Sequence, residues 1–244
     1  FDSDSFSFLQ RIGQNVWKVP SGEITNLPYL QKVAAIKCHN KQIILSTGMS
    51  TVEEVEYAIN VLQQSKDTSF TVLHCNTQYP TNPEDMNLRA MNKLQELAPD
   101  WKIGLSDHSE GLVASLVAVG LGAKFIEKHF TLDKNFEGPD HKASVTPEEL
   151  KLLCEGIRAV EKSLGSSEKI VTVSEAKNKI VARKSIIAAR PIKKGETYTT
   201  ENLTTKRPGN GISTMCWYDI LGKDAEMDFE EDQLIQDSRF SNQE

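Results

Sequence analysis

The sequence predicts an α/β chain: a parallel sheet wound with helices, followed by a small, mostly β domain. Three observations predict it. Short apolar, β-prone runs recur along the chain, helical patterns lie between them, and both patterns stop near residue 165.

The runs are Val16–Val19, Ile43–Ser46, Phe70–His74, Ile103–Ser106 and Phe125–His129. Their starts fall roughly 25–30 residues apart, the length of one strand–helix unit. Residues 1–13 read as the helix leading into the first run. Ser50 precedes TVEEVEYAI, with acids in the first turn and apolar residues at three-to-four spacing. Gly111–Leu121 reads as an apolar, small-residue helix packed on the sheet. Thr146-Pro-Glu-Glu-Leu supplies an N-cap, a proline at the first helical position and first-turn acids, and that helix runs to about Leu164 before Gly165.

Each run ends in polar residues: Lys18 and Ser21, Ser46 and Thr47, His74 to Thr77, Ser106 to His108, Glu127 to His129. Titratable groups gathered at the C-terminal ends of parallel strands are the layout of a (β/α)8 active site. No G-x-G-x-x-G follows any run, which disfavours a dinucleotide-binding sheet. The expected fold is therefore a partial TIM (β/α)8 barrel, about its last five units, over residues 1–165. A complete barrel needs eight units and about 250 residues, so about three units are expected to precede Phe1. The chain also lacks an initiator Met and is expected to be a fragment or a processed form.

Residues 166–181 read as a polar linker. Residues 182–244 carry short β-prone runs, Ser185–Ala188 and Tyr198–Thr200, broken by Lys194-Gly195 and by Arg207-Pro-Gly-Asn-Gly211. A domain of about 60 residues is marginal for a lone core, so docking on a barrel is expected.

Composition narrows the partners. The formal charge of −6 gives no overall attraction to nucleic acid or anionic membrane. No apolar run approaches the roughly 20 residues that span a bilayer, and the start lacks a basic n-region and a small-residue cleavage site. Cys38, Cys75, Cys154 and Cys216 form no C-x-x-C pair and read as buried or incidental thiols in a reducing cytosol.

Six segments carry chemistry. KVPSGE (Lys18 to Glu23) joins a cation, a hydroxyl and free backbone beside glycine, which suits phosphate or carboxylate, with the acid able to accept a sugar hydroxyl or a proton. The same residues also read as a capped loop. STGM (Ser46 to Met49) binds phosphate or caps the next helix. In LHCNTQYP, Tyr79 can pack against a sugar ring, while His74, within the strand, reads as a core histidine. His108 in GLSDH and His129 in EKH end adjacent strands and can converge on one divalent ion. Imidazole favours Mn2+, Zn2+ or Co2+ over Mg2+, and two ligands leave positions for water and substrate oxygens. EGPDHKAS presents Asp140 beside the mouth or uses it to hold a turn. KRPGNG offers Arg207 to a carboxylate or hydroxyls of a neighbouring site, or to solvent.

Together KVPSGEITNLPYL, IILSTGM, LHCNTQYPT, GLSDHSEG, IEKHFTLDKNFEGPDHKAS and KRPGNGIS resemble, in order, the bacterial N-acetylneuraminate (sialic acid) synthase family. The tail resembles the antifreeze-like (SAF) domain that ends these synthases. The resemblance implies a barrel plus that domain in a domain-swapped homodimer, each tail covering the partner's barrel mouth, in the cytoplasm. It implies that His108 and His129 hold a divalent ion, Mn2+ first, with Mg2+ or Co2+ as alternatives. Lys18, Ser21, Ser46 and Ser106 would line a phosphoenolpyruvate pocket. Thr77 belongs to the sugar-side loop; Glu23, Tyr79 and Asp140 would face the sugar, with Glu23 and Asp140 as catalytic carboxylates; Arg207 would arrive from the partner. The implied reaction condenses phosphoenolpyruvate with N-acetylmannosamine, with release of phosphate by C–O cleavage. Two departures stand out. The family's N-terminal strands, with a further lysine and a candidate catalytic glutamate, are absent, so the chain alone is expected to be inactive. Asn76-Thr77 replaces the Thr-Asn or Thr-Thr usual after LHC. The alternatives are a sister synthase acting on a diacetamido-trideoxy sugar, a non-catalytic carbohydrate-binding fragment, and a metal-dependent aldolase.

Overall fold

The computed structural model describes residues 2–240. It divides into two compact units, residues 1–166 and 167–244; Phe1 and residues 241–244 lie outside the described residues.

The first unit alternates helix and strand. Its elements are α1 (Ser3–Arg11), β1 (Val16–Val19), α2 (Leu27–Ala35), β2 (Lys41–Ser46), α3 (Val52–Leu62), β3 (Thr68–Cys75), α4 (Ala90–Leu97), β4 (Lys102–Asp107), α5 (Val113–Gly120), β5 (Phe125–Lys128) and α6 (Pro147–Leu164). The strands pair in parallel in chain order, β1-β2-β3-β4-β5, as half of a barrel. All five expected runs are strands. The caps explain the helix starts: Thr51 with Glu54, and Thr146 with Glu149, form capping boxes that satisfy backbone N–H groups of the first turn.

Strand alternation separates two faces. Trp17, Val19, Ile43, Leu45, Val72, Ile103 and Leu105 are buried against Leu30, Val33, Ile59, Leu62, Leu94 and Ala118 of the helices. Each fully buried Val, Leu or Ile contributes about 1.5–3 kcal/mol, so this layer carries the unit. The opposite face holds Lys18, Ser46, Cys75, Ser106 and Glu127 at the C-terminal ends.

The second unit opens with α7 (Val173–Ala182), which lies in the segment expected to be linker. Thr172 and Glu175 form its capping box, so a polar composition there encodes a helix start. β6 (Ser185–Ala188) pairs antiparallel with β7 (Leu203–Lys206), and α8 (Trp217–Ile220) follows. Isolated bridges, including Ile187 with Leu234 and Ile192 with Phe229, complete the β framework. The expected run Tyr198–Thr200 is not a strand: it is irregular and enters a turn at Thr200. Thr199 N donates to Asn202 Oδ1 at 2.8 Å, which turns the chain into β7, while the Tyr198 ring fills the core. Burial pushes the Tyr198 phenol up to about 12.

Candidate active site

The polar strand ends enclose a cavity of about 400 Å³. Register explains the convergence. Cys75 pairs with Ser106 and Ser106 with Glu127, so one row of side chains points inward, and His108 and His129 follow two residues later on the same face. Lys18 enters from β1, Ser46 from β2, and Thr77 and Tyr79 from the loop after β3.

The cavity floor is built to receive oxygens. Ser46 Oγ is buried with no hydrogen-bond partner in the protein, so a bound oxygen is its available partner. Ser21 Oγ accepts from Gly48 N at 3.0 Å and keeps its own hydrogen to donate. Gly48 is required there: a Cβ would stand 2.6 Å from Thr77 Cγ2 and 2.8 Å from Ser21 Oγ. Ser106 Oγ donates to Glu127 Oε1, and Lys18 Nζ stands within ion-pair reach of that carboxylate.

The imidazoles form the other wall. The His108 and His129 rings are 5.1 Å apart and edge-to-face, and the Tyr79 ring stands 4.1 Å from His108 and 5.3 Å from His129. His108 Nδ1 lies 2.6 Å from Asn76 O. A carbonyl only accepts, so Nδ1 carries the proton and Nε2 keeps a free lone pair. Burial pushes His108 below the ordinary imidazole range, the Asn76 bond opposes this, and His129 adds to the lowering. A neutral ring with Nε2 free to donate its lone pair is the state a metal ligand needs. Among the described residues there is no group of three or more His, Cys, Asp or Glu placed to hold a metal ion. The fit to an ion therefore rests on the two imidazoles alone.

The remaining expected residues lie around this cavity or apart from it. Asp140 Oδ2 is 3.5 Å from His129 Nδ1. The Glu23 carboxylate accepts from Asn26 Nδ2 at 2.6 Å, the cap of α2, and is not among the lining residues. Arg207 belongs to the second unit, where its Nε donates to Ala182 O at 3.0 Å. His74 lies outside the cavity lining, with Nε2 2.7 Å from Met86 O, as a core histidine should. Glu127 and Cys75 also line the cavity; the sequence places both at polar strand ends but gives neither a role. Parity is the signal that finds Glu127, since it lies two residues before His129. A larger groove of about 520 Å³, lined by Pro80, Pro83, Met86 and Val113, carries Glu110 as its one titratable group, whereas Lys18, Tyr79, His108, Glu127 and His129 gather in the smaller cavity.

Two family profiles cover the two units: the NeuB family over residues 1–169 and the SAF domain over residues 183–241. The chain belongs to the NeuB family. It is 51% identical to the N,N'-diacetyllegionaminic acid synthase of Campylobacter jejuni, over 97% of this chain and 70% of that protein. It is 34% identical to the human N-acetylneuraminate-9-phosphate synthase, over 99% of this chain and 66% of that protein. A crystal structure of a sialic acid synthetase from Leptospira borgpetersenii, in complex with citrate, superposes with a TM-score of 0.66 at 34% identity, covering 73% of this chain and 61% of that one. The chain spans about two thirds of the length of the curated NeuB relatives it matches. The NeuB match covers the half-barrel, and the SAF match covers the small unit's two-stranded sheet.

Proposed function

We propose that this NeuB protein condenses phosphoenolpyruvate with an open-chain diacetamido-trideoxy hexose, giving a legionaminic-type acid and phosphate. The observation that carries the reading is the edge-to-face pair His108 and His129 over a cavity lined by Lys18, Ser21, Ser46 and Ser106. The sugar is supported by 51% identity to a diacetyllegionaminic acid synthase against 34% to an N-acetylneuraminate-9-phosphate synthase. N-acetylmannosamine is the second reading, supported by the motifs shared with sialic acid synthases.

The residues divide the work. Lys18 and the serine hydroxyls neutralise phosphate and carboxylate charge by fixed dipoles that need no reorganisation. His108 and His129 would hold a divalent ion of the Mn2+ class, which supplies Lewis-acid polarisation of a carbonyl oxygen. C3 of phosphoenolpyruvate forms a bond to the aldehyde carbon, and the aldehyde oxygen takes up a proton. Water adds at C2, and the C2–O bond breaks to release phosphate, leaving a 2-keto acid. Glu127, the one carboxylate in the lining, is placed to move a proton. Tyr79 offers a ring face to the sugar. The reading includes a homodimer in the cytoplasm, with Arg207 completing the partner's site. Among the described residues no helix is long and apolar enough to cross a membrane.

The test uses the protein at the full length its gene encodes, with Mn2+ and phosphoenolpyruvate carrying 18O in the bridging position. Phosphate bearing the label, formed faster with the diacetamido sugar than with N-acetylmannosamine, is expected. No phosphate release with either sugar overturns the reading.

A further inference from the structure

Asp107 precedes His108 and Lys128 precedes His129. Alternation therefore turns the two charged side chains away from the cavity while the imidazoles face it. Asp107 and Lys128 are register partners, and they meet on the helix side of the sheet. Lys128 Nζ stands 3.0 Å from Asp107 Oδ2, with the two side chains 3% and 0% exposed. Ser109 N and Oγ donate to Asp107 Oδ1 at 2.9 and 2.7 Å. Ser115 Oγ, from α5, donates to Oδ2 at 2.6 Å. Lys128 Nζ also donates to Ser109 O at 2.7 Å. The pair thus ties β4, β5, the loop after β4 and the first turns of α5 into one node.

An apolar pair of similar volume would fill the same space without the cost of dehydrating two charges, but would leave the Ser109 and Ser115 groups without these partners. What the charged node adds is a fixed spacing between two strand ends.

We propose that the Asp107–Lys128 pair is a positioning strut that holds His108 and His129 at the separation where both rings donate to one divalent ion. The inference rests on the proposed metal-assisted reading. Neither residue lines the cavity, so both act through the backbone of the residue that follows.

The experiment replaces the strut by an apolar pair, Asp107→Leu with Lys128→Met, in the full-length protein. Mn2+ affinity is read by electron paramagnetic resonance, the Co2+ form by its visible spectrum, and folding by thermal unfolding. The double variant leaves Ser109 N–H, the Ser109 and Ser115 hydroxyls and Ser109 O without these partners, so it should melt somewhat earlier than the wild type, bind Mn2+ about tenfold or more weakly, and show an altered Co2+ spectrum. A purely structural pair would move the melting temperature and leave the spectrum alone. Should the double variant fail to fold, Ser115→Ala carries the test, because it removes one bond to the carboxylate and leaves both charges. Weaker Mn2+ binding or a changed spectrum there supports the strut. A folded variant that binds Mn2+ within about twofold of wild type, with an unchanged spectrum, overturns it. Wild-type protein that binds neither Mn2+ nor Co2+ overturns the metal-assisted reading itself, and the strut with it.

Discussion

The hydroxyl of Ser106 donates to Glu127 Oε1 across 2.7 Å, and the same oxygen stands 3.4 Å from Lys18 Nζ. Lys18 and Glu127 are both partly exposed, so their attraction is worth at most about 1 kcal/mol. The pair is therefore a poor stability device, and under the proposed reaction Glu127 is the carboxylate available to move a proton. Glu127→Gln keeps an acceptor for Ser106 and removes the acid. Phosphate release should slow by about 100-fold, while the melting temperature stays within about 2 °C. Turnover near the wild-type rate would show that Glu127 moves no proton in the slow step.

Gly104 lies one row deeper, paired with Leu73 and Phe125. A Cβ there would stand 2.3 Å from Phe125 O and 2.6 Å from Leu73 Cδ2. The carbonyl is backbone, so relief requires β4 and β5 to separate, and these strands place both imidazoles. Gly104→Ala should cost about 1–3 kcal/mol by urea unfolding. Gly120→Ala is the matched control, since a Cβ there meets nothing within 4 Å. It should be neutral or stabilise by up to about 1 kcal/mol.

Strands were legible because β-branched runs end in polar residues, and the structure extends them by only a few positions. Val16–Val19 is a strand over the same four residues. The helices α2 and α4 gave weaker signals. α2 has an Asn cap and an early Pro but no first-turn acid, and α4 has no side-chain cap at all. The cavity residues were legible where they ended strands. Glu127 was legible as a strand-end group but not as a cavity acid, because His129 two residues on dominates the local pattern and only register shows that the acid faces Ser106. The Asp107–Lys128 node was illegible for a related reason: its two halves lie on different strands, and sequence spacing does not reveal lateral pairing. Tyr198 misled because aromatic and Thr residues favour strands, whereas Asn202 imposes a turn on that stretch.

The small unit should respond to acid through Asp237. Its side chain is fully buried and ion-paired with Arg239, whose Nε donates to Oδ1 at 2.7 Å. Bonds from Arg239 outweigh burial and hold the carboxyl below the usual range. A carboxyl depressed in the folded state stabilises fully above its unfolded value, about 3.9, and that contribution disappears as pH falls through the folded value. Thermal unfolding of this unit should therefore be level from pH 7 to about 5 and fall below about 4. Asp237→Asn should lower stability at pH 7 and flatten the acid limb. An acid limb as steep as the wild type's would assign the sensitivity to other carboxylates.

Lys41 provides the last expectation, in the barrel unit. It begins β2 and is 2% exposed, yet no carboxylate meets its ammonium among the described contacts. Its Nζ donates instead to Val33 O at 2.7 Å, Ala34 O at 3.0 Å and Ile36 O at 2.9 Å, and to Ser65 Oγ at 2.8 Å. The three carbonyls close the C-terminus of α2, where backbone acceptors lack helical partners and the helix dipole is negative. A cation is thus the cap, and burial lowers its pKa without removing its function there. Lys41→Met matches the stem but leaves the carbonyls unsatisfied under the sheet. Hydrogen bonds to a charged group contribute about 1.5–3 kcal/mol, so a loss of about 3 kcal/mol is expected in urea unfolding. Lys41→Arg should fail as well, because a planar fork does not reproduce a compact point donor with bonds radiating in several directions. Because Lys41 is not among the lining residues, Mn2+ affinity of the folded fraction should be unchanged, which separates this cap from the strut behind the histidines. A Lys41→Met protein as stable as wild type would mean that water reaches these carbonyls and replaces the ammonium.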